Sequence, residues 1–161
     1  MTAPELADWI MQGRADYRLI DIREDTAYAR YHVPGAENVP IRELPEYPLN
    51  RNERIVLYSD GGIHAAQAWF LLKAMDFPGV YTLLGGLDAW IDEVLYPAEP
   101  SVATPESTAE FERAVAVAAF FGGSPRGARE EEALQELALP RVETTSPVIV
   151  APRQKRRKEG C

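Results

Sequence analysis

The chain has 161 residues, 46% of them apolar, and a net charge of −8; this suits one domain with appendages and excludes wholesale disorder. The charge is uneven: within residues 151–161, Arg153, Lys155, Arg156, Arg157 and Lys158 stand against Glu159, a balance of +4 that leaves −12 on the remainder. An acidic body does not favour phosphate backbones, so no nucleic-acid partner is expected. The single cysteine, Cys161, excludes an intramolecular disulfide scaffold. No basic segment followed by an apolar one opens the chain, and the longest apolar run, Ala114 to Phe121, is too short to span a bilayer. No membrane partner and a cytoplasmic location are therefore expected.

Thr2 and Glu5 form a capping-box pattern, and Leu6, Trp9 and Ile10 give the apolar face of a short helix that Gly13 ends. Arg18 to Ile22 reads as a strand, and Asp25 to Tyr31 as a short helix. Pro34 and Gly35 mark a turn, and Asn38 to Pro40 a short extended piece. After a polar loop come a strand, Ile55 to Tyr58, a loop, Ser59 to Ile63, and a helix, His64 to Met75. Val80 to Leu83 is a further strand, broken by Gly85 and Gly86, and Leu87 to Val94 is helical. The runs IVLY and VYTL are short and continuous. Such runs suit strands buried on both faces of a parallel sheet, and the helices between them supply the crossovers, so the class is α/β.

Composition changes near Pro97, which divides the chain into a domain over residues 1–97 and a Pro-, Ser-, Thr- and Glu-rich linker over 98–108. A helical extension over 109–140 and a flexible basic tail over 141–161 complete it. In the extension, Ser107 with Glu110 forms another capping-box pattern, opening a helix to about Phe120 with Phe111, Val115 and Ala118 or Ala119 on one face. Arg129 to Leu139 is a second helix candidate, bounded by Pro140. The Phe111–Phe121 helix is read as a brace on the domain, because exposing its apolar face would leave a patch.

The stretch LIDIREDTAYARYHVPGAENVP places Asp21 and Arg23 after a strand, then Tyr28, His32, Pro34, Gly35, Ala36 and Asn38. It is followed by a strand, a short loop and a helix, and then by LLGGLDAWIDEVLYP with Gly85, Gly86 and Trp90. These three motifs, in this order over roughly residues 3–97, resemble the rhodanese-homology domain. Tyr31 stands where that family usually has glycine. The resemblance implies a parallel sheet with helices on both faces and an active-site loop between a central strand and the next helix. In active members the loop begins with cysteine and ends with arginine. The cysteine thiolate takes the outer sulfur of a donor such as thiosulfate as a persulfide and passes it to a nucleophile.

The corresponding loop here is Ser59, Asp60, Gly61, Gly62, Ile63 and His64. A serine hydroxyl cannot form a persulfide and is a weak nucleophile without an adjacent base. His64 takes the arginine position, and Asp60 is expected to put a carboxylate inside the cradle. Backbone N–H groups at a helix N-terminus still favour an anion, with Gly61 and Gly62 letting them turn inward. A Ser59–His64 hydrolytic pair would need a third residue to orient the histidine. A phosphatase or arsenate-reductase chemistry would need the cysteine and arginine of a loop one residue longer. Asp21 and Arg23 are expected as a buried or half-buried pair supporting the loop. His32 is read as structural, and Trp69, Phe70 and Trp90 as core or groove-lining.

Two functions follow from these expectations. One is a binding or regulatory module in sulfur or thiol metabolism, without ordinary thiosulfate transfer and with a sulfur-donor anion or a protein thiol as partner. The other is a sulfurtransferase or sulfur carrier that uses Cys161. About sixteen residues lead from Thr145 to that thiol; as a coil they reach roughly 20–24 Å, enough to visit the loop. A disulfide between copies through Cys161 is a third option, and the sequence leaves the oligomeric state open. Neither a metal nor a cofactor is expected.

Overall fold

The computed structural model describes residues 1–127. The helix expected at Arg129–Leu139, the basic tail and Cys161 lie outside the described residues. In chain order the elements are α1 (Ala3–Met11), β1 (Arg18–Asp21), α2 (Asp25–Arg30), β2 (Glu37–Asn38), β3 (Ile55–Tyr58), α3 (Gly62–Ala74), β4 (Val80–Thr82), α4 (Gly86–Ala89), a π-helical segment (Trp90–Leu95) and α5 (Pro105–Phe120).

The strands form one sheet in the order β2-β1-β3-β4, with every pairing parallel. Successive side chains of a strand face opposite sides, and β3 is buried on both. Val56 and Tyr58 join Leu6, Trp90 and Val94, so α1 and the π-helical segment cover that face. Ile55 and Leu57 join Ala68 and Leu72 of α3 on the other. All four residues of β3 are fully buried, as a continuous apolar run in a two-faced parallel sheet requires.

Helix α1 starts on its capping box: the Thr2 N–H donates to Glu5 Oε2 at 2.7 Å, and the Glu5 N–H donates to Thr2 Oγ1 at 3.4 Å. Sheet edge β4 is partly occupied. The Trp69 indole N–H donates to the Val80 carbonyl at 2.9 Å, and the Met1 ammonium donates to the Thr82 carbonyl at 3.0 Å. Of the three aromatics expected in the core or a groove, only Trp90 is fully buried. Trp69 lies along this edge, and Phe70 is 71% exposed because it falls on the solvent side of α3.

Two expectations for the C-terminal part need correction. The N-cap of α5 is Thr104, not Ser107. The Thr104 side chain accepts the Ser107 N–H at 3.1 Å, and Pro105 fills the first helical position, where its missing N–H costs nothing. The helix therefore begins inside the stretch expected as linker. It is held by its last turns. Ala118 is buried, and the Phe121 ring meets Trp90 edge-on, with centroids 5.0 Å apart. The chain then runs back along the π-helical segment, with Ser124 N–H on the Leu95 carbonyl at 2.9 Å.

Candidate active-site loop

In the strand order β2-β1-β3-β4 the connections run outward in opposite directions from β1 and β3. The carboxyl ends of those two strands are thus the topological switch point, where open α/β sheets bind ligands. Strand β1 delivers Asp21 and Arg23 there, and β3 delivers the loop that starts at Ser59.

The Asp21 carboxylate is fully buried and the Arg23 side chain is 7% exposed. They meet as a fork: Arg23 Nε lies 2.9 Å from Asp21 Oδ1, and Nη2 lies 2.7 Å from Oδ2. Such a bidentate pair fixes geometry as well as charge. Arg23 uses its remaining donors on two other elements. Nη2 donates to the Tyr31 carbonyl at 2.7 Å, and Nη1 to Asp60 Oδ1 at 3.0 Å. Burial works against the guanidinium, but the bonds and charges of Asp21 and Asp60 outweigh it and hold its pKa above the ordinary range. One side chain thus joins the end of β1, the exit of α2 and the loop. Asn38 closes the same corner, donating to the carbonyls of Asp21 and Arg23 at 3.2 and 2.9 Å. Beneath the pair, burial followed by the Asp21 charge pushes the Tyr58 hydroxyl well up, so it stays protonated; it accepts the Val33 N–H at 3.0 Å.

The loop itself is oriented from one side. The Ser59 carbonyl accepts the Leu87 N–H at 2.8 Å, and the Asp60 carbonyl accepts the Asp88 N–H at 3.0 Å. Gly86 lies against them with φ +61; a Cβ there would stand 2.5 Å from the Ser59 oxygen, 2.6 Å from that of Asp60 and 2.7 Å from that of Gly61. Each peptide unit is planar and trans, so its N–H points opposite to its carbonyl. The N–H groups of Asp60 and Gly61 therefore face away from α4. With the first N–H groups of α3 they form a set of donors, and among the described residues the N–H groups from Asp60 to His64 make no hydrogen bond. Helix α3 begins at Gly62, two residues earlier than expected, with Gly61 as its N-cap. This arrangement favours an anion.

Ser59 is 1% exposed, and its hydroxyl donates to the Gly61 carbonyl at 2.5 Å. His64 is exposed, and no hydrogen bond joins it to Ser59. The structure does not bring the two together as a nucleophile and base. Asp60 also departs from expectation. Its carboxylate is 68% exposed at the rim rather than inside the cradle, where it pairs with Arg23. His32 makes a structural contact, with Nδ1 3.0 Å from the Tyr28 carbonyl and its ring stacked on that of Tyr28.

Beside the loop is a cleft of about 310 Å³, lined by Arg23, Ala27, Arg30, Tyr31 and Asp60. Sequence reasoning did not nominate Ala27, Arg30 or Tyr31. Part of their signal was available: the spacing of Ala27 and Arg30 puts them on one face of α2, and Tyr31 follows in extended backbone at its end. Tyr31 OH accepts the Trp90 indole N–H at 2.9 Å, which pins the ring as a cleft wall. Burial raises its pKa.

A family model described as the rhodanese-like domain matches residues 2–93. The chain belongs to the rhodanese-like domain family. Among curated relatives, this rhodanese-like chain is 31% identical over 100 residues to the probable adenylyltransferase/sulfurtransferase MoeZ of Mycobacterium tuberculosis, an overlap of 58% of this chain and 25% of MoeZ. The chain thus spans about a quarter of that relative's length. It is 27% identical over 109 residues to the human thiosulfate:glutathione sulfurtransferase, covering 58% of this chain and 93% of that protein. The crystal structure of a rhodanese-like domain protein from Staphylococcus aureus superposes with a TM-score of 0.52 at 26% identity, covering 58% of this chain and 91% of that one. Its homologues are thus sulfurtransferase-related at low identity. Among the described residues, no helix is long and apolar enough to cross a membrane, and no cluster of three or more His, Cys, Asp or Glu is placed to hold a metal.

Proposed function

We propose that this rhodanese-like domain binds a small sulfur-bearing anion or a sulfur-carrying protein at its loop without turning over thiosulfate there, and serves as a binding or regulatory module in sulfur or thiol metabolism. The observation that carries the reading is Ser59. It opens the loop, at the place where the resemblance puts the family's cysteine, and its hydroxyl is buried and committed to the Gly61 carbonyl. An alcohol so held has neither the polarizable anion that sulfur transfer needs nor a base to make one. The outward N–H groups and the Arg23 cleft support anion binding beside it.

Two substitutions test this. Wild type is expected to show only background thiosulfate:cyanide transfer. Ser59→Cys is expected to gain at least about tenfold, a change worth about 1.4 kcal/mol of barrier. A folded Ser59→Cys protein that stays at background shows that the loop is not an intact cradle. Wild-type turnover that survives loss of Cys161 overturns the reading outright.

The second reading places the chemistry on Cys161, and it is supported by that residue being the chain's only thiol. In this reading the Cys161 thiolate attacks the outer sulfur of thiosulfate. A sulfur–sulfur bond forms on the cysteine, the donor's own sulfur–sulfur bond breaks, and sulfite departs with the electron pair. Mass spectrometry after exposure to thiosulfate or a protein persulfide donor is expected to find one added sulfur on Cys161 of wild type and none on Cys161→Ser. Wild type without added sulfur under any donor removes this reading and leaves the first intact.

A further inference from the structure

A second groove, of about 450 Å³, lies between α1, the π-helical segment and α5, away from the loop. Its apolar lining comes from Pro4, Val94, Ala114 and Val117. Its charged lining holds Asp8, Glu93 and Glu110 against one cation, Arg113. All four charged residues are exposed, and none of the three carboxylates has an ion-pair partner among the described residues. The groove is therefore apolar within and negative around.

The chain has one segment with the matching pattern. Val148, Ile149 and Val150 form an apolar run, and Arg153, Lys155, Arg156, Arg157 and Lys158 follow it. The other stretch beyond residue 127 that could present an apolar face, residues 129–139, carries Glu130, Glu131, Glu132 and Glu136 against Arg129. Its charge is of the wrong sign for this rim. A second copy would bring its own acidic body, which repels this one.

The exit point also suits the groove. The chain leaves the described residues just after Arg126, whose guanidinium is bonded to Asp92 at 2.5 Å and to the Tyr96 carbonyl at 2.9 Å. Asp92 adjoins Glu93 of the rim. From Gly127 to Val148 is 21 residues, and a coil of that length reaches roughly 23–27 Å.

We propose that Val148–Lys158 folds back onto its own domain and occupies this groove, with the apolar run on the lining and the cations facing Asp8, Glu93 and Glu110. The docking does not depend on whether Cys161 carries sulfur.

Cys161 is the only attachment point for a thiol-directed spin label, so the full-length chain can be tested directly. With a nitroxide on Cys161, the amide NMR signals around Asp8, Glu93 and Glu110 are expected to be lost, while those around Arg51 on the far side of the sheet persist. In Glu93→Lys/Glu110→Lys, whose own spectrum reports that it is folded, the lost signals are expected to return. They are also expected to return substantially in about 1 M salt, where the screening length is about 3 Å. Broadening that ignores the charge reversal overturns the proposal. So does broadening that spares the groove, or that passes from labelled to unlabelled copies in a mixed sample. None of these results bears on persulfide formation, which mass spectrometry reads separately.

Discussion

Replacing Arg23 with methionine is expected to destabilise the domain by about 3–5 kcal/mol, because it leaves the fully buried Asp21 carboxylate without its partner. The loss reaches further than one ion pair. Arg23 also holds the Tyr31 carbonyl at the exit of α2 and the Asp60 carboxylate of the loop. Urea denaturation at neutral pH measures the effect as a lower midpoint at unchanged slope. The paired substitution Asp21→Leu with Arg23→Met removes both charges. Its cost is expected to fall below the sum of the two single changes, because neither charge is then left buried alone. A single-variant loss under about 1 kcal/mol, the range of exposed ion pairs, would show that Arg23 is not the junction described here.

Gly86→Ala is expected to be nearly as costly. The residue sits at φ +61, where a Cβ costs roughly 1–2 kcal/mol, and that Cβ would press on three carbonyl oxygens of the loop at 2.5 to 2.7 Å. Crowding of this kind adds about 1–3 kcal/mol, for a total of roughly 2–5 kcal/mol. The oxygens cannot simply retreat, because those of Ser59 and Asp60 are bonded to the Leu87 and Asp88 N–H groups. Gly62→Ala is the matched control. It lies within the same loop sequence, its added Cβ meets nothing within 4 Å, and its φ is ordinary, so it is expected to be neutral within about 1 kcal/mol. Equal effects at the two positions would mean that the loop is soft and that the contact at Gly86 does not orient it.

Much of this was written locally in the sequence. The unbroken run Ile55 to Tyr58 implied a strand covered on both faces, and the strand-to-helix passage at Ser59 located the loop. The Asp21–Arg23 spacing put both side chains at one strand end. What escaped was set by partners distant in sequence. Asp60 sits at the rim, paired with Arg23, 37 residues earlier. Tyr31 becomes a cleft wall because Trp90, 59 residues later, anchors its hydroxyl. Helix α5 begins three residues ahead of the Ser107 cap that the sequence suggested, because Thr104 caps it and Pro105 fills its first helical position. The π-helical turn, shown by the Tyr96 N–H reaching the Ile91 carbonyl at 2.9 Å, leaves no mark in a hydrophobic pattern that an α-helix fits as well.

Trp90 touches both ends of this arrangement. Its indole N–H holds Tyr31 at the cleft, and its ring meets Phe121 at the foot of α5. The other two tryptophans, Trp9 and Trp69, are partly exposed, whereas Trp90 is fully buried. The molecule therefore carries its own optical reporter. Emission from a water-shielded indole stands apart from that of its two wetter neighbours, and it changes when helix and core separate or when the tyrosine hydroxyl lets go. Fluorescence of the unlabelled protein can thus follow the seating of the C-terminal helix and the state of the cleft wall together.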